Sequence, residues 1–134
     1  MKVLHVIPSA APVDGGPNVA VRAIARGLAR KGIDVTVATT NAAGTSTLDV
    51  PLDTSVIDDG VVFRFFARSA PGSWKFSWPM TRWLWEHAHG YDVIHVHALF
   101  SYATIPGCRA AAHAPVPYVL RPLGTLSDWS LQHH

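Results

Sequence analysis

Three groups of residues in this chain have types and spacing suited to binding chemistry. The first is Asp14-Gly15-Gly16-Pro17-Asn18, which follows a short apolar run, Lys2 to Ile7, broken at Pro8. Glycines let a ligand approach the backbone closely, and a helix N-terminus presents unpaired N–H groups with partial positive charge. Gly15, Gly16, Pro17 and Asn18 are therefore a candidate cradle for a phosphate or a sugar, and Asp14 is a turn residue that can orient it. The second group is His95 and His97 in Tyr91-Asp-Val-Ile-His-Val-His97. Residues two apart share one face of a strand, and His97 stands at its far end. Two histidines suggest a metal, but catalytic zinc takes three protein ligands, and no Cys or carboxylate neighbours this pair. The expectation is no metal, with His95 and His5 as satisfied core histidines. The third group is aromatic: Trp74, Phe76, Trp78, Trp83 and Trp85, interleaved with Lys75 and Arg82. That mixture suits an acceptor-lining or membrane-facing surface. Met80, Trp83, Leu84 and His87 fall at helical spacing and read partly as core, so Trp74 and Phe76 are the better exposed candidates.

The elements that position these residues follow from periodicity. Lys2 to Ile7 reads as a strand. After the glycine turn, Val21, Ile24, Ala25 and Leu28 make one apolar helical stripe, and Arg22, Arg26 and Arg30 make a basic row beside it. Gly16 suits the N-cap and Pro17 the first helical position, while Gly32 supplies the stop. Gly27, unfavourable inside a helix, reads as a point of close helix–sheet packing. Ile33 to Ala38 is a second strand, and Asn41 to Asp59 a long loop of the kind associated with function or mobility. Val61 to Phe66 is a third strand. A helix over Pro79 to His89 starts at Ser77, and Tyr91 to His97 is a fourth strand begun by Asp92. A small-residue helix over Ser101 to His113, capped by Ser101, precedes a fifth strand, Val116 to Arg121.

Alternating strands and helices imply an α/β fold: a Rossmann-like, doubly wound parallel sheet in three α/β/α layers, spanning residues 1–134 as one domain. With spatial order 3-2-1-4-5, strands 1 and 4 flank the switch point, and ligands bind beyond their carboxyl ends. The Pro8–Gly16 loop should then face His97, with Arg121 to Thr125 on the same edge.

Several classes drop out. A dinucleotide fingerprint needs Gly-x-Gly-x-x-Gly directly after strand 1 and an acid closing strand 2. Here the glycines are adjacent and distant from the strand, and strand 2 ends Thr39-Thr40-Asn41. No Gly-Lys-Ser/Thr follows, so the chain has no P-loop, and no cofactor is expected. The net charge of +2 is spread along the chain and does not call for nucleic acid. One cysteine, Cys108, excludes an internal disulfide and fits a reducing compartment. No run approaches the roughly 18 apolar residues of a membrane span, so a cytoplasmic location is expected, at the inner face of the cell membrane if the aromatic surface meets lipid.

Taken in order, Met1-Lys-Val-Leu-His-Val-Ile-Pro8, Gly15-Gly16-Pro17, Ala29-Arg-Lys-Gly-Ile-Asp-Val-Thr-Val37, Tyr91 to His97 and Pro117-Tyr-Val-Leu-Arg-Pro-Leu-Gly124 resemble the N-terminal half of family-4 glycosyltransferases. These are retaining GT-B enzymes. The resemblance implies a nucleotide-sugar donor, held mainly by a C-terminal domain expected beyond His134, and a glycan or lipid-linked acceptor held on this side. It implies that the isolated chain is inactive in sugar transfer. It places His97 at the catalytic cleft near the transferred sugar and Gly15, Gly16, Gly124 and Thr125 along the cleft wall. Leu123 stands where many relatives have histidine, which removes one polar contact. No general base is identified. The competing reading is a non-catalytic Rossmann-like module that binds a sugar, a nucleotide or a partner.

Overall fold

In the first strand, β1 (Lys2–Ser9), residues Val3 to Ile7 are all buried, which requires a central strand covered on both faces. The computed structural model describes residues 1–12, 16–44, 46–69, 77–97 and 104–121, with side chains left aside at 16–18 and 104. After β1 come α1 (Gly16–Arg30), β2 (Asp34–Thr40), β3 (Ala42–Ala43), β4 (Ser46–Thr47), β5 (Ser55–Asp58) and β6 (Val61–Phe66). Then follow α2 (Trp78–His87), β7 (Val93–His97), α3 (Thr104–His113) and β8 (Tyr118–Arg121). The main sheet runs β5-β6-β2-β1-β7-β8. Its five strands β6, β2, β1, β7 and β8 are parallel and keep the expected order. The fold is a Rossmann-like α/β sheet.

Side-chain alternation divides the core in two. Leu4, Val6, Ile94 and Val96 pack against Met80 and Leu84 of α2 and Ala111 of α3. On the opposite face Ile7, Val35, Val37 and Phe63 pack against Val21 and Ala25 of α1. Gly107 sits where α3 meets the sheet: a Cβ there would lie 3.1 Å from Val96 Cγ2 and 3.5 Å from Val6 Cγ1. Close packing therefore falls on Gly107 and not on Gly27, which is exposed with nothing within 4 Å of an added Cβ. Ser77 caps α2 as expected, its Oγ accepting from Met80 N at 3.3 Å and donating to the Ala67 carbonyl at 2.8 Å.

The expected loop over residues 41–59 is interrupted by short strands. It holds the small β3–β4 hairpin and the edge strand β5, antiparallel to β6. Asp59 (φ 51°) and Gly60 (φ 79°) form the two-residue turn joining β5 to β6. Two left-handed residues there match the right-handed twist of the strands. The arginine row of α1 meets this turn: Arg22 and Arg26 approach Asp58 at 3.5 and 4.0 Å, and Arg26 and Arg30 approach Asp59 at 3.3 and 3.7 Å. Beyond β7, the strand β8 leaves Tyr118, Val119 and Leu120 exposed.

Candidate functional site

The carboxyl edge of the sheet is built around the switch point between β1 and β7. Asp92 opens the β7 segment structurally, accepting from Lys2 N at 2.7 Å. β1 continues past Pro8 to Ser9, and hydrogen bonds fix the chain as it leaves. Ser9 Oγ donates to the Ala42 carbonyl at 2.9 Å and accepts from Ala11 N at 3.1 Å. Thr40 Oγ1 donates to the Pro8 carbonyl at 2.6 Å and accepts from Ala42 N at 3.2 Å. Arg22 Nη2 donates to the Ala10 carbonyl at 3.2 Å. Ala10 and Ala11 are buried. These bonds tie residues 8–11 to β2, β3 and α1, and α1 begins at Gly16 followed by Pro17 and Asn18, one residue earlier than expected. Asp14, Gly15, Gly124, Thr125, Trp74, Phe76 and Ser101 lie outside the described residues.

Three histidines meet on the sheet face opposite α2 and α3. His5 pairs in register with His95, and His97 with Arg121 on β8. His5 and His97 are fully buried, and His95 and Arg121 are half-buried. His5 Nδ1 lies 2.8 Å from His97 Nε2, a direct imidazole–imidazole hydrogen bond. The His95 and His97 rings stack with centroids 4.0 Å apart and planes 24° apart. Neither His5 nor His95 is the satisfied core residue expected from sequence. Among the described residues His5 Nε2, His95 Nε2, His97 Nδ1 and Arg121 Nη1 are buried without a hydrogen-bond partner. Such groups are costly unless something satisfies them, so their grouping at a ligand edge is informative.

Electrostatics keeps the rings neutral. Burial, then the neighbouring His95, pushes His5 down from 6.5 to about 4. Burial, then His95, His5 and Arg121, pushes His97 down to about 2. His95 is lowered first by burial and then by Arg121. A neutral imidazole carries one donor and one acceptor, the equipment for a hydroxyl group. His5 supplies the third ligand that the His95–His97 spacing lacks, and one nitrogen from each ring lies within 4.8 Å of the others. A bound ion, however, lies near the plane of every imidazole ligating it, about 2 Å from the nitrogen. Rings stacked at 4.0 Å with 24° between planes do not converge on one ion.

The aromatic segment divides between core and surface. Trp83 is buried and carries the Arg64 guanidinium 5.6 Å above its ring, and His87 stacks on it at 4.9 Å. Trp78 and Trp85 are 57 % and 49 % exposed, so the described surface includes two indoles that helical spacing left unassigned. Trp78, Arg82 and Glu86 line an open groove of about 460 Å³ with Asp53 and Arg64. Trp85 lines a second of about 290 Å³ with Thr81, Ile105 and Arg109. Among the described residues no helix is long and apolar enough to cross a membrane.

A sheet with this strand order and a glycine-led helix at its switch point define a Rossmann-like domain, with a buried polar cluster beside that switch point. The chain belongs to the glycosyl transferase 4-like domain family, which matches residues 15–133. No curated protein matches it. Among solved structures it is similar to HepE of Anabaena, crystallised in complex with UDP and glucose. The TM-score is 0.57 with 21 % identity over 90 % of this chain, and the match takes in 29 % of HepE. The chain therefore spans less than a third of the length of that protein.

Proposed function

We propose that this chain is the acceptor-side, N-terminal half of a retaining GT-B glycosyltransferase of hexosyltransferase type. It would move a sugar from a nucleotide-sugar donor to a glycan or lipid-linked acceptor. The observation that carries this reading is the unsatisfied Nδ1 of the neutral His97 at the switch point, beside the residues that lead toward Gly15 and Gly16, in a chain of this family. His97 would hydrogen-bond a hydroxyl of the transferred sugar. Backbone N–H groups at Gly15 and Gly16 and the start of α1 would face the departing phosphate, where negative charge grows as the glycosidic bond breaks. Asn18, Gly124 and Thr125 would complete the wall.

The nucleotide would bind mainly to a second α/β domain outside these residues, and domain closure would exclude water from the reacting sugar. The 134 residues alone would then bind weakly and transfer nothing. HepE, crystallised with UDP and glucose, supports the choice of donor class. Exposed Trp78, Trp85 and Ile105, with Arg82 and Arg109 lining the same two grooves, support a peripheral contact with the cytoplasmic face of the membrane.

Titration of UDP-glucose into the labelled chain tests the core of this reading. Amide shifts of residues 8–18 and of His97 should move together, and signals unmoved at saturation would refute a donor-contacting role. Flotation with vesicles carrying anionic lipid tests the membrane contact; protein left at the bottom of the gradient would remove it.

A further inference from the structure

The hydrogen bond between His5 and His97 spans 92 positions of sequence and joins two buried neutral rings. Each neutral imidazole carries a single proton, so the contact has two forms. In one, both rings are protonated on Nε2: His97 Nε2–H donates to His5 Nδ1, and His97 Nδ1 is left as a bare lone pair. In the other, both carry the proton on Nδ1, and His97 Nδ1 is an N–H donor. Two features of the molecule favour the first. Imidazole side chains intrinsically prefer the Nε2–H form, and here both rings adopt it at once. Arg121 lies across the β7–β8 ladder from His97, on the side away from His5. Its cation favours the arrangement whose N–H points toward β1 and whose lone pair does not.

We propose that His5 is a positioning residue that, through its Nδ1, fixes the tautomer of His97 and makes His97 Nδ1 a hydrogen-bond acceptor for a ligand hydroxyl. The inference rests on His97 as the sugar-facing residue and adds what His97 selects. A bare nitrogen accepts from a hydroxyl and repels an anionic oxygen, so the group at this position is a sugar hydroxyl and not a phosphate oxygen. His95, stacked on His97 without a hydrogen bond to it, orients the ring but leaves its proton where His5 sets it.

The test needs no ligand, so its outcome is independent of the UDP-glucose titration. Long-range ¹H–¹⁵N correlation spectra of the labelled chain near neutral pH report which nitrogen of each imidazole is protonated. Both His5 and His97 should show protonated Nε2 and bare Nδ1. His5→Asn, whose side-chain carbonyl can accept in place of Nδ1, should preserve the His97 pattern. His5→Phe leaves the buried His97 Nε2–H without an acceptor, a penalty that offsets the intrinsic preference, and should therefore convert the pattern to an exchanging mixture. A purely structural role for His5 would lower stability in both variants and leave the His97 tautomer untouched. Protonated Nδ1 on wild-type His97, or an unchanged His97 pattern in His5→Phe, overturns the proposal. Should His5→Phe fail to fold, His5→Leu, likewise without an acceptor at this position, takes its place in the same measurement, with the same two outcomes.

Discussion

Acidification should unfold this domain through the histidines at its centre, and the size of the effect follows from their burial. His5 and His97 are lowered from 6.5 to about 4 and about 2, chiefly by desolvation. In the unfolded chain both return to 6.5, so the unfolded state binds more protons below that pH and stability rises with pH. The contribution is complete above 6.5 and is lost as pH falls from 6.5 toward the folded values. At about pH 5.5 an unfolded imidazole is protonated roughly ten to one while its folded counterpart stays neutral, which is worth between about 1 and 2 kcal/mol for each ring. Two rings therefore remove about 3 kcal/mol between roughly pH 7.5 and pH 5.5, and His95 adds in the same direction. That is a large share of the stability of a domain this size. Urea denaturation followed by tryptophan fluorescence at the two pH values measures it in the wild type and in His5→Asn/His97→Asn. The double variant should lose most of the difference. A wild-type difference below about 1 kcal/mol, or an equal difference in the double variant, would refute the claim that these rings are held neutral.

Four substitutions probe the frame around the site by the same unfolding assay. Gly27→Ala, at an exposed helical position with open space, should stabilise by about 0.5–1 kcal/mol, whereas Gly107→Val should cost about 1–3 kcal/mol by driving into Val96 and Val6. Gly60→Ala, at φ 79°, should cost about 1 kcal/mol or more by straining the β5–β6 turn. Ser77→Ala should cost about 1–2 kcal/mol, since it removes the α2 cap and strands the Ala67 carbonyl.

The parallel core of the sheet was readable because each of its strands carries a compact apolar run and helices intervene at regular spacing. The edge was not. Ser55 to Asp58 is almost wholly exposed, so no burial pattern marks it as a strand. The available signal was Asp59-Gly60, a dipeptide suited to a two-residue hairpin turn, lying between short runs that pair across it. His97 could be singled out from its place at a strand end. Its partner could not, because the pairing of His5 with His95 and the reach of His97 back to His5 depend on lateral register between β1 and β7. Spacing within either segment carries no information about that register. Gly107 escaped notice for a related reason: a glycine's closeness to another element is a property of the facing side chains, here Val96 and Val6.

His5, His95 and His97 occupy alternating positions on two adjacent central strands, where packing alone favours leucine, isoleucine or phenylalanine. Each ring brings to the interior a nitrogen that no described neighbour satisfies. An unbiased search for thermostable variants of this domain should therefore converge on these same three positions, replacing imidazoles with hydrocarbons. Stability gained there would come from erasing the buried polar groups beside the proposed sugar site, so such variants would rank highest by melting temperature and lowest by sugar binding.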